Sequence, residues 1–129
     1  MTARTRNYMQ DKGYDAAAAV TKFRAVKFSA EETVTPVTAI TDIVAGVVQE
    51  SVSAGDITHG KGAVVAVEGD TEWEASEAIA VGQRVSLVAD GRCQVAVATE
   101  MVHGHCVEPA GGAGERARIH LSLNNHVMA

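Results

Sequence analysis

Two segments of this chain repeat one arrangement of glycine, apolar and acidic residues, the first in the middle of the sequence and the second near its end. Residues 43–50 read Ile-Val-Ala-Gly-Val-Val-Gln-Glu and lead into Ala-Gly-Asp at 54–56. Residues 101–108 read Met-Val-His-Gly-His-Cys-Val-Glu and lead into Ala-Gly-Glu at 113–115. Repeated strand and turn units of this kind build small β folds, because glycine permits crowded or left-handed backbone. The repeat therefore predicts a scaffold with two pseudo-repeated halves.

Short apolar and alternating runs, separated by glycine, fill most of the remaining sequence. The run 63–67 is continuously apolar, whereas 117–123 alternates apolar with polar residues, as a half-buried final strand does. Gly69 followed by Asp70 predicts a turn between strands. Asp90 followed by Gly91 predicts a hairpin, since this pair suits a type I′ turn. About eight or nine short strands are expected, which predicts an all-β fold, either a small β-barrel or a β-sandwich.

Size and charge limit the classes of partner. The 129 residues fit one domain, and with 47% hydrophobic but only 4% aromatic residues the core must be built from small aliphatic side chains. A net charge of −5 argues against nucleic acid as a partner, because phosphate binding needs concentrated Lys and Arg. No apolar run is long enough for a membrane helix, and no secretory signal is evident, so we expect no membrane partner and synthesis in the cytoplasm.

Basic residues are concentrated at the start of the chain and acidic residues in its middle. Six Lys and Arg residues fall in the first 27 positions, whereas residues 68–77 carry an excess of Asp and Glu. A terminal segment of one sign on a body of the other is typical of an arm that docks on a partner or on a neighbouring copy. A solvated, partly disordered terminus is the alternative reading. We expect an extended N-terminal arm at 1–22 and a β domain at 23–129.

The residues that could carry chemistry do not form a recognisable site. His103, His105 and Cys106 are possible zinc ligands, but strand alternation predicts both histidines on one side and the cysteine on the other. No Gly-x-Ser-x-Gly sequence occurs, and the Gly-Lys-Gly at 60–62 is too short for a phosphate loop. Cys93 and Cys106 are expected to be reduced, buried small hydrophobes. The sequence predicts neither an enzyme nor a cofactor or metal site.

Several segments, taken in order, resemble the small capsid decoration, or cement, proteins of tailed bacteriophages. They are 23–27 (Phe-Arg-Ala-Val-Lys), 43–49 with the turn at 54–56, 78–85 (Ala-Ile-Ala-Val-Gly-Gln-Arg-Val), Asp90-Gly91, and Gly104 with 113–115 before the closing 118–121 (Arg-Ile-His-Leu). The likeness spans about residues 22 to 123. It implies a compact β domain, often a homotrimer, on the outer surface of the phage head, made in the host bacterial cytoplasm and without a cofactor. Its implied partner is the major capsid protein.

On this resemblance, residues 1–22 are expected to lie along the major capsid protein. Arg4, Arg6 and Lys22 would meet acidic shell surface, and Tyr8 and Tyr14 would serve as amphipathic anchors. Two other functions stay open. One is a different virion structural component, such as a head-fibre base or a tail accessory protein. The other is a β module associated with a sugar-acid dehydratase, which requires a pocket with converging polar groups.

Overall fold

A computed structural model of the protein describes residues 9–127, and the elements in that range are nine strands and one short helix. The strands are β1 (Met9–Ala16), β2 (Ala25–Ala30), β3 (Thr33–Pro36), β4 (Gly46–Val48), β5 (Ala63–Glu74), β6 (Arg84–Leu87), β7 (Cys93–Val95), β8 (Met101–Glu108) and β9 (Arg116–Val127). The helix α1 (Ala54–Thr58) lies between β4 and β5. The all-β prediction is confirmed.

Five of the strands close into a barrel. The sheet runs in the order β1-β3-β2-β4-β5-β9-β8-β6-β7, and β1 also pairs with β5. Strands β1, β3, β2, β4 and the N-terminal half of β5 therefore form a closed ring, here called the first barrel. Closure removes the free sheet edges of these strands, which is how small β proteins avoid unwanted pairing.

The remaining strands repeat this arrangement around the C-terminal half of β5. That half pairs with β9, followed by β8, β6 and β7. A single parallel bridge between Ala75 and Cys93 brings β7 back to the end of β5, just as Ala16 pairs in parallel with Val34 in the first barrel. These strands form the second barrel. The predicted two halves are confirmed, and β5 is the last strand of one and the first strand of the other.

The two glycines that mark the sequence repeat occupy equivalent positions in the two barrels. Gly46 on β4 pairs with Val26, and Gly104 on β8 pairs with Val85. A side chain at Gly46 would collide with the carbonyl oxygen of Ala66, and one at Gly104 with that of His120. Close approach of neighbouring strands therefore requires glycine at both positions.

The predicted turn at Gly69-Asp70 was wrong, because both residues lie within strand β5. Gly69 has a left-handed backbone (φ +89°), yet the strand continues through it. The register of β1 against β5 shifts nearby, between Gln10 and Asp11, which marks a β-bulge. The glycine therefore redirects β5 from the first barrel into the second without ending the strand.

The two other predicted turns also have a different form. Asp90 and Gly91 do join β6 to β7, but only Gly91 is left-handed (φ +93°) and its amide donates to the Val88 carbonyl (2.9 Å). A type I′ turn needs two left-handed residues, so that prediction was wrong. The Ala-Gly-Asp at 54–56 opens α1, because Ser53 and Asp56 form a capping box.

The predicted arm needs a different boundary within the described residues. Met9–Ala16 is β1, which pairs with both β3 and β5. Val20 forms a bridge to Val52, so residues 9–20 are part of the first barrel. The rest of the predicted arm, residues 1–8, lies outside the described range.

Equivalent small apolar residues fill both barrels. In the first barrel they include Val20, Val26, Val34, Val48, Val52 and Val65; in the second they include Ile79, Val85, Cys93, Cys106, Ala110 and Ile119. Cys93 and Cys106 are free and buried, as predicted. The described part of the chain has no helix long and apolar enough to cross a membrane.

Candidate interaction surfaces

The five residues predicted to bind a partner are not all placed by the structure. Arg4, Arg6 and Tyr8 lie outside the described residues. Tyr14 belongs to β1, where its ring packs edge-to-face on Phe28 with centroids 5.1 Å apart. Lys22 is exposed in the turn before β2, with its ammonium 5.1 Å from the centroid of the Phe23 ring. Tyr14 and Lys22 thus belong to separate features of the first barrel.

The end of the first barrel at Tyr14 and Phe28 is an exposed apolar surface, which we call the aromatic end. Phe28 is 50% exposed despite its size, and Tyr14 is half-buried beside it. A shallow cavity of about 390 Å³ is lined by Tyr14, with Asp15, Glu32 and Val64 also in its lining. Nothing in the local sequence singles out Phe28 as a surface residue. An alignment of the two halves places Phe28 at the position equivalent to Leu87, which is buried.

Arg84 and two histidines form a row across three strands on the outside of the second barrel, and we call it the cationic face after the Arg84 guanidinium. Arg84 on β6 pairs with His105 on β8, which pairs with His120 on β9. The two imidazole rings are 5.3 Å apart between centroids, and His120 Nδ1 lies 2.7 Å from Asp70 Oδ1. All three basic side chains are exposed. Their order across the strands could be found only once the register was known.

An apolar cleft separates a loop of the first half from a loop of the second. Its volume is about 400 Å³, and it is lined by Ile40, Val97 and Met101 among others. Ile40 is 49% exposed and Val97 is 58% exposed. Large apolar side chains exposed together in this way are typical of surfaces that bind other proteins.

Carboxylates hold both loops of the cleft in place. Asp42 accepts hydrogen bonds from the backbone amides of Thr38 (2.8 Å) and Ala39 (3.0 Å) and lies 3.1 Å from the Lys27 ammonium. The Thr38 amide, with help from Lys27, lowers the pKa of Asp42 below its ordinary value. In the other loop, Glu100 accepts from Ser86 Oγ (2.8 Å) and from the Val97 amide (2.9 Å). The cleft is therefore a preformed surface.

The two barrels are joined by direct contacts besides the shared strand. Arg24 makes two hydrogen bonds to the Glu74 carboxylate, at 3.1 and 3.4 Å. The Ala25 amide donates to the Gly91 carbonyl (2.8 Å), which also accepts from Trp73 Nε1 (2.8 Å). These contacts couple the first barrel to the hairpin of the second, so the two halves present their surfaces in a fixed relation.

Burial separates the three residues considered as zinc ligands. His103 and Cys106 are buried whereas His105 is exposed, so the prediction that the two histidines share a side was wrong. The register shift between Val102 and Gly104 interrupts the alternation that the prediction assumed. Among the residues that the structure describes, no three His, Cys, Asp or Glu side chains are grouped to hold a metal ion.

Burial also makes the thiols and His103 poor catalysts. Desolvation raises the pKa of Cys93 to about 12 and raises that of Cys106, so both remain protonated thiols at neutral pH. Neither ring nitrogen of His103 has a hydrogen-bond partner among residues 9–127, and burial lowers its pKa to about 4. His103 was missed as a buried group, since nothing in its local sequence distinguishes it from His105.

Comparison with known proteins identifies a family and a similar solved structure. A family model described as phage cement protein matches residues 51–121, which is more than half of the chain. The head fiber gp8.5 N base of bacteriophage phi29 has a similar fold, with a TM-score of 0.64 at 20% identity. That match covers 92% of this chain and 98% of the phage protein. No curated protein sequence matches the chain.

Proposed function

Because the chain belongs to the phage cement protein family, we propose that it binds the outer surface of a tailed-phage head and stabilises the shell. It is a structural protein of the virion. The observation that carries the proposal is the family match, which includes α1, all of β5, β6, β7 and β8, and the first half of β9. The proposed partners are the major capsid protein and further copies of this chain, as a homotrimer. Its proposed location is the outer capsid surface, after synthesis in the host cytoplasm.

Two coupled barrels are suited to this role because they form a rigid body. A protein that binds the assembled shell better than the dissociated subunits stabilises the assembly by mass action, without any chemical step. Rigidity reduces the entropy lost on binding. The apolar cleft between Ile40 and Val97 is the surface we propose for the capsid protein, because it is apolar and already held open by Asp42 and Glu100.

The N-terminal segment is proposed as a second contact with the shell. Arg4, Arg6 and Tyr8 precede β1 in the sequence and would add charged and aromatic contacts beside the first barrel. Tyr14 and Lys22, the other two predicted contacts, are described parts of that barrel, but they belong to separate features and are not included in this contact. A deletion that tests this idea should stop at residue 8, because removing 1–22 would also remove β1 and open the barrel.

Co-sedimentation of the purified protein with undecorated heads tests the proposed function. The full chain is expected to pellet with heads at a saturable ratio, and Ile40→Asp with Val97→Asp to abolish this. Val81→Asp is the matched control, since Val81 is 63% exposed but does not line the cleft. Deleting residues 1–8 is expected to weaken binding without unfolding the barrels. Failure of the full chain to pellet with intact heads would contradict the function.

The fold likeness to a head-fibre base supports a second candidate function. As a fibre base, the chain would carry a further structure away from the shell. Electron microscopy of purified virions separates the two functions: density that extends outward beyond the two barrels is expected for a fibre base and not for a decoration protein. We favour decoration because the family match, unlike the fold likeness, identifies a family.

A further inference from the structure

The two barrels have equivalent ends that differ in burial: one is buried and the other is exposed. In the second barrel this end is formed by Trp73, Leu87 and Leu121, which are at most 2% exposed. They belong to one buried cluster with Ala25, Val47 and Ala66, a row on the outer side of the first barrel. The first barrel therefore covers the end of the second.

The corresponding end of the first barrel is the aromatic end. The register places Tyr14 where the second barrel has Trp73, Phe28 where it has Leu87, and Glu32 where it has Gly91. Phe28 is 50% exposed and Glu32 is exposed, whereas Leu87 and Gly91 are buried. Within residues 9–127 no barrel covers the aromatic end. It is an apolar surface of the kind that is covered elsewhere in the same chain.

The surface that would cover it, by the same relation, is the cationic face. Arg84, His105 and His120 occupy the positions of Ala25, Val47 and Ala66 in the other barrel. All three are exposed, so this row is as uncovered as the aromatic end. The Arg84 guanidinium is complementary in charge to the aromatic end, because exposed Glu31 and Glu32 form the turn beside Phe28 and Asp15 lies next to Tyr14.

We propose that the aromatic end of one copy binds the cationic face of a second copy, repeating between molecules the relation that joins the two barrels within one. Arg84 would lie against the Glu31–Glu32 turn, and the guanidinium and imidazole rings would cover Tyr14 and Phe28. At its edge, the contact between copies pairs Arg84 with the Glu31–Glu32 turn, whereas the contact within one chain has Ala25 and Gly91 at the same place. The contact between copies is therefore ionic there, and its affinity falls as the salt concentration rises. This proposal rests on the self-association stated above and supplies its surfaces. A head-to-tail contact can close into a ring such as a trimer.

Light scattering on the full chain without heads tests the proposal. The wild type is expected to be oligomeric, and Phe28→Asp or Arg84→Glu to weaken association by at least about tenfold. Phe28 is half-exposed and Arg84 is exposed, so both variants should fold, and Trp73 fluorescence with circular dichroism checks this. Val81→Asp, another exposed apolar position, is the control and should associate like the wild type.

Mixing variants tests the head-to-tail geometry. Arg84→Glu keeps an intact aromatic end, and Phe28→Asp keeps an intact cationic face, so the mixture should form a one-to-one complex although neither variant associates alone. Replacing Glu31 with Arg in the Arg84→Glu chain should restore association. A wild type that stays monomeric, or variants that associate normally, would overturn the proposal. A Phe28→Asp chain that still self-associates but no longer pellets with heads would also overturn it, since the aromatic end would then bind the shell. The light-scattering assay contains no heads, so its failure is distinct from failure to bind heads.

Discussion

Phe23 and Gly82 hold the same position in the two barrels, and both have a left-handed backbone, with φ of +65° and +88°. The Phe23 amide donates to the Val48 carbonyl (2.7 Å), and the Gly82 amide donates to the Cys106 carbonyl (2.8 Å). The halves therefore share a left-handed turn, which is unstrained at Gly82 but strained at Phe23, because only glycine lacks a Cβ atom. The Phe23 ring is held under the Arg116 guanidinium, 4.7 Å from its centroid.

Replacing Gly82 with alanine is expected to lower the free energy of unfolding by about 1–2 kcal/mol. No atom lies within 4 Å of the added methyl group, so the cost comes from the left-handed backbone alone. Gly112→Ala is the matched control, because Gly112 also has open space around it but has no left-handed φ. Urea denaturation of both variants measures the difference. Equal stability of the two variants would show that alanine adopts the backbone conformation at position 82 without strain.

Replacing Gly104 with alanine is expected to be more severe, at about 3 kcal/mol or more. The new methyl group would meet the His120 carbonyl oxygen and the Ile119 side chain, and the backbone atom cannot move aside without breaking the pairing of β8 with β9. Gly46→Ala in the first barrel should behave alike, since it meets Ala66 and Val65. Thermal unfolding followed by circular dichroism measures both, with Gly13→Ala, which meets nothing, as the control. A mild effect at either strand glycine would contradict the packing described.

The repeat was visible in the sequence because its glycines are fixed by close strand approach. The strand count, the final strand with Ile119 and Leu121 inside, and the buried cysteines followed from alternation and composition. The path of β5 did not, because a glycine with a left-handed backbone at Gly69 looks locally like a turn, and only its partners on both sides keep the strand going. The interaction surfaces could not be predicted from the sequence for a similar reason. Phe28 and Leu87 occupy equivalent positions, and they differ in exposure because one barrel packs on the other.

His103 is expected to make the protein sensitive to acid. Its pKa is about 4 in the folded chain against an ordinary value of 6.5, so the unfolded chain binds a proton that the folded chain does not. Stability therefore falls as the pH drops from about 6.5 to 4, by roughly 3 kcal/mol at the lower end. His103→Leu should flatten this dependence, measured by urea denaturation across the range. His59→Ala, a change at an exposed histidine, should retain it. An unchanged slope in His103→Leu would rule out His103 as the source.

The pair of Arg24 and Glu74 is expected to contribute modestly to the coupling of the two barrels. Both side chains are partly exposed, so a coupling energy of about 0.5–1 kcal/mol is expected from a double-mutant cycle of Arg24→Ala and Glu74→Ala. Raising the salt concentration should reduce it. Lys61 and Glu50 form a more exposed pair at 3.2 Å and provide the comparison, with a smaller coupling. A coupling energy of zero would show that the Arg24 pair does not stabilise the contact, which would then depend on β5, the apolar contacts and the hydrogen bond from Ala25 to Gly91.

Cryo-electron microscopy of undecorated heads, incubated with the purified chain and then washed, tests the central claim most directly. The account predicts two-barrel densities outside the shell, at symmetry-equivalent sites over the whole head. Ile40→Asp with Val97→Asp should leave the shell bare under the same conditions. Bare shells after incubation with the folded wild-type chain, or density confined to a few special positions, would contradict a decoration role.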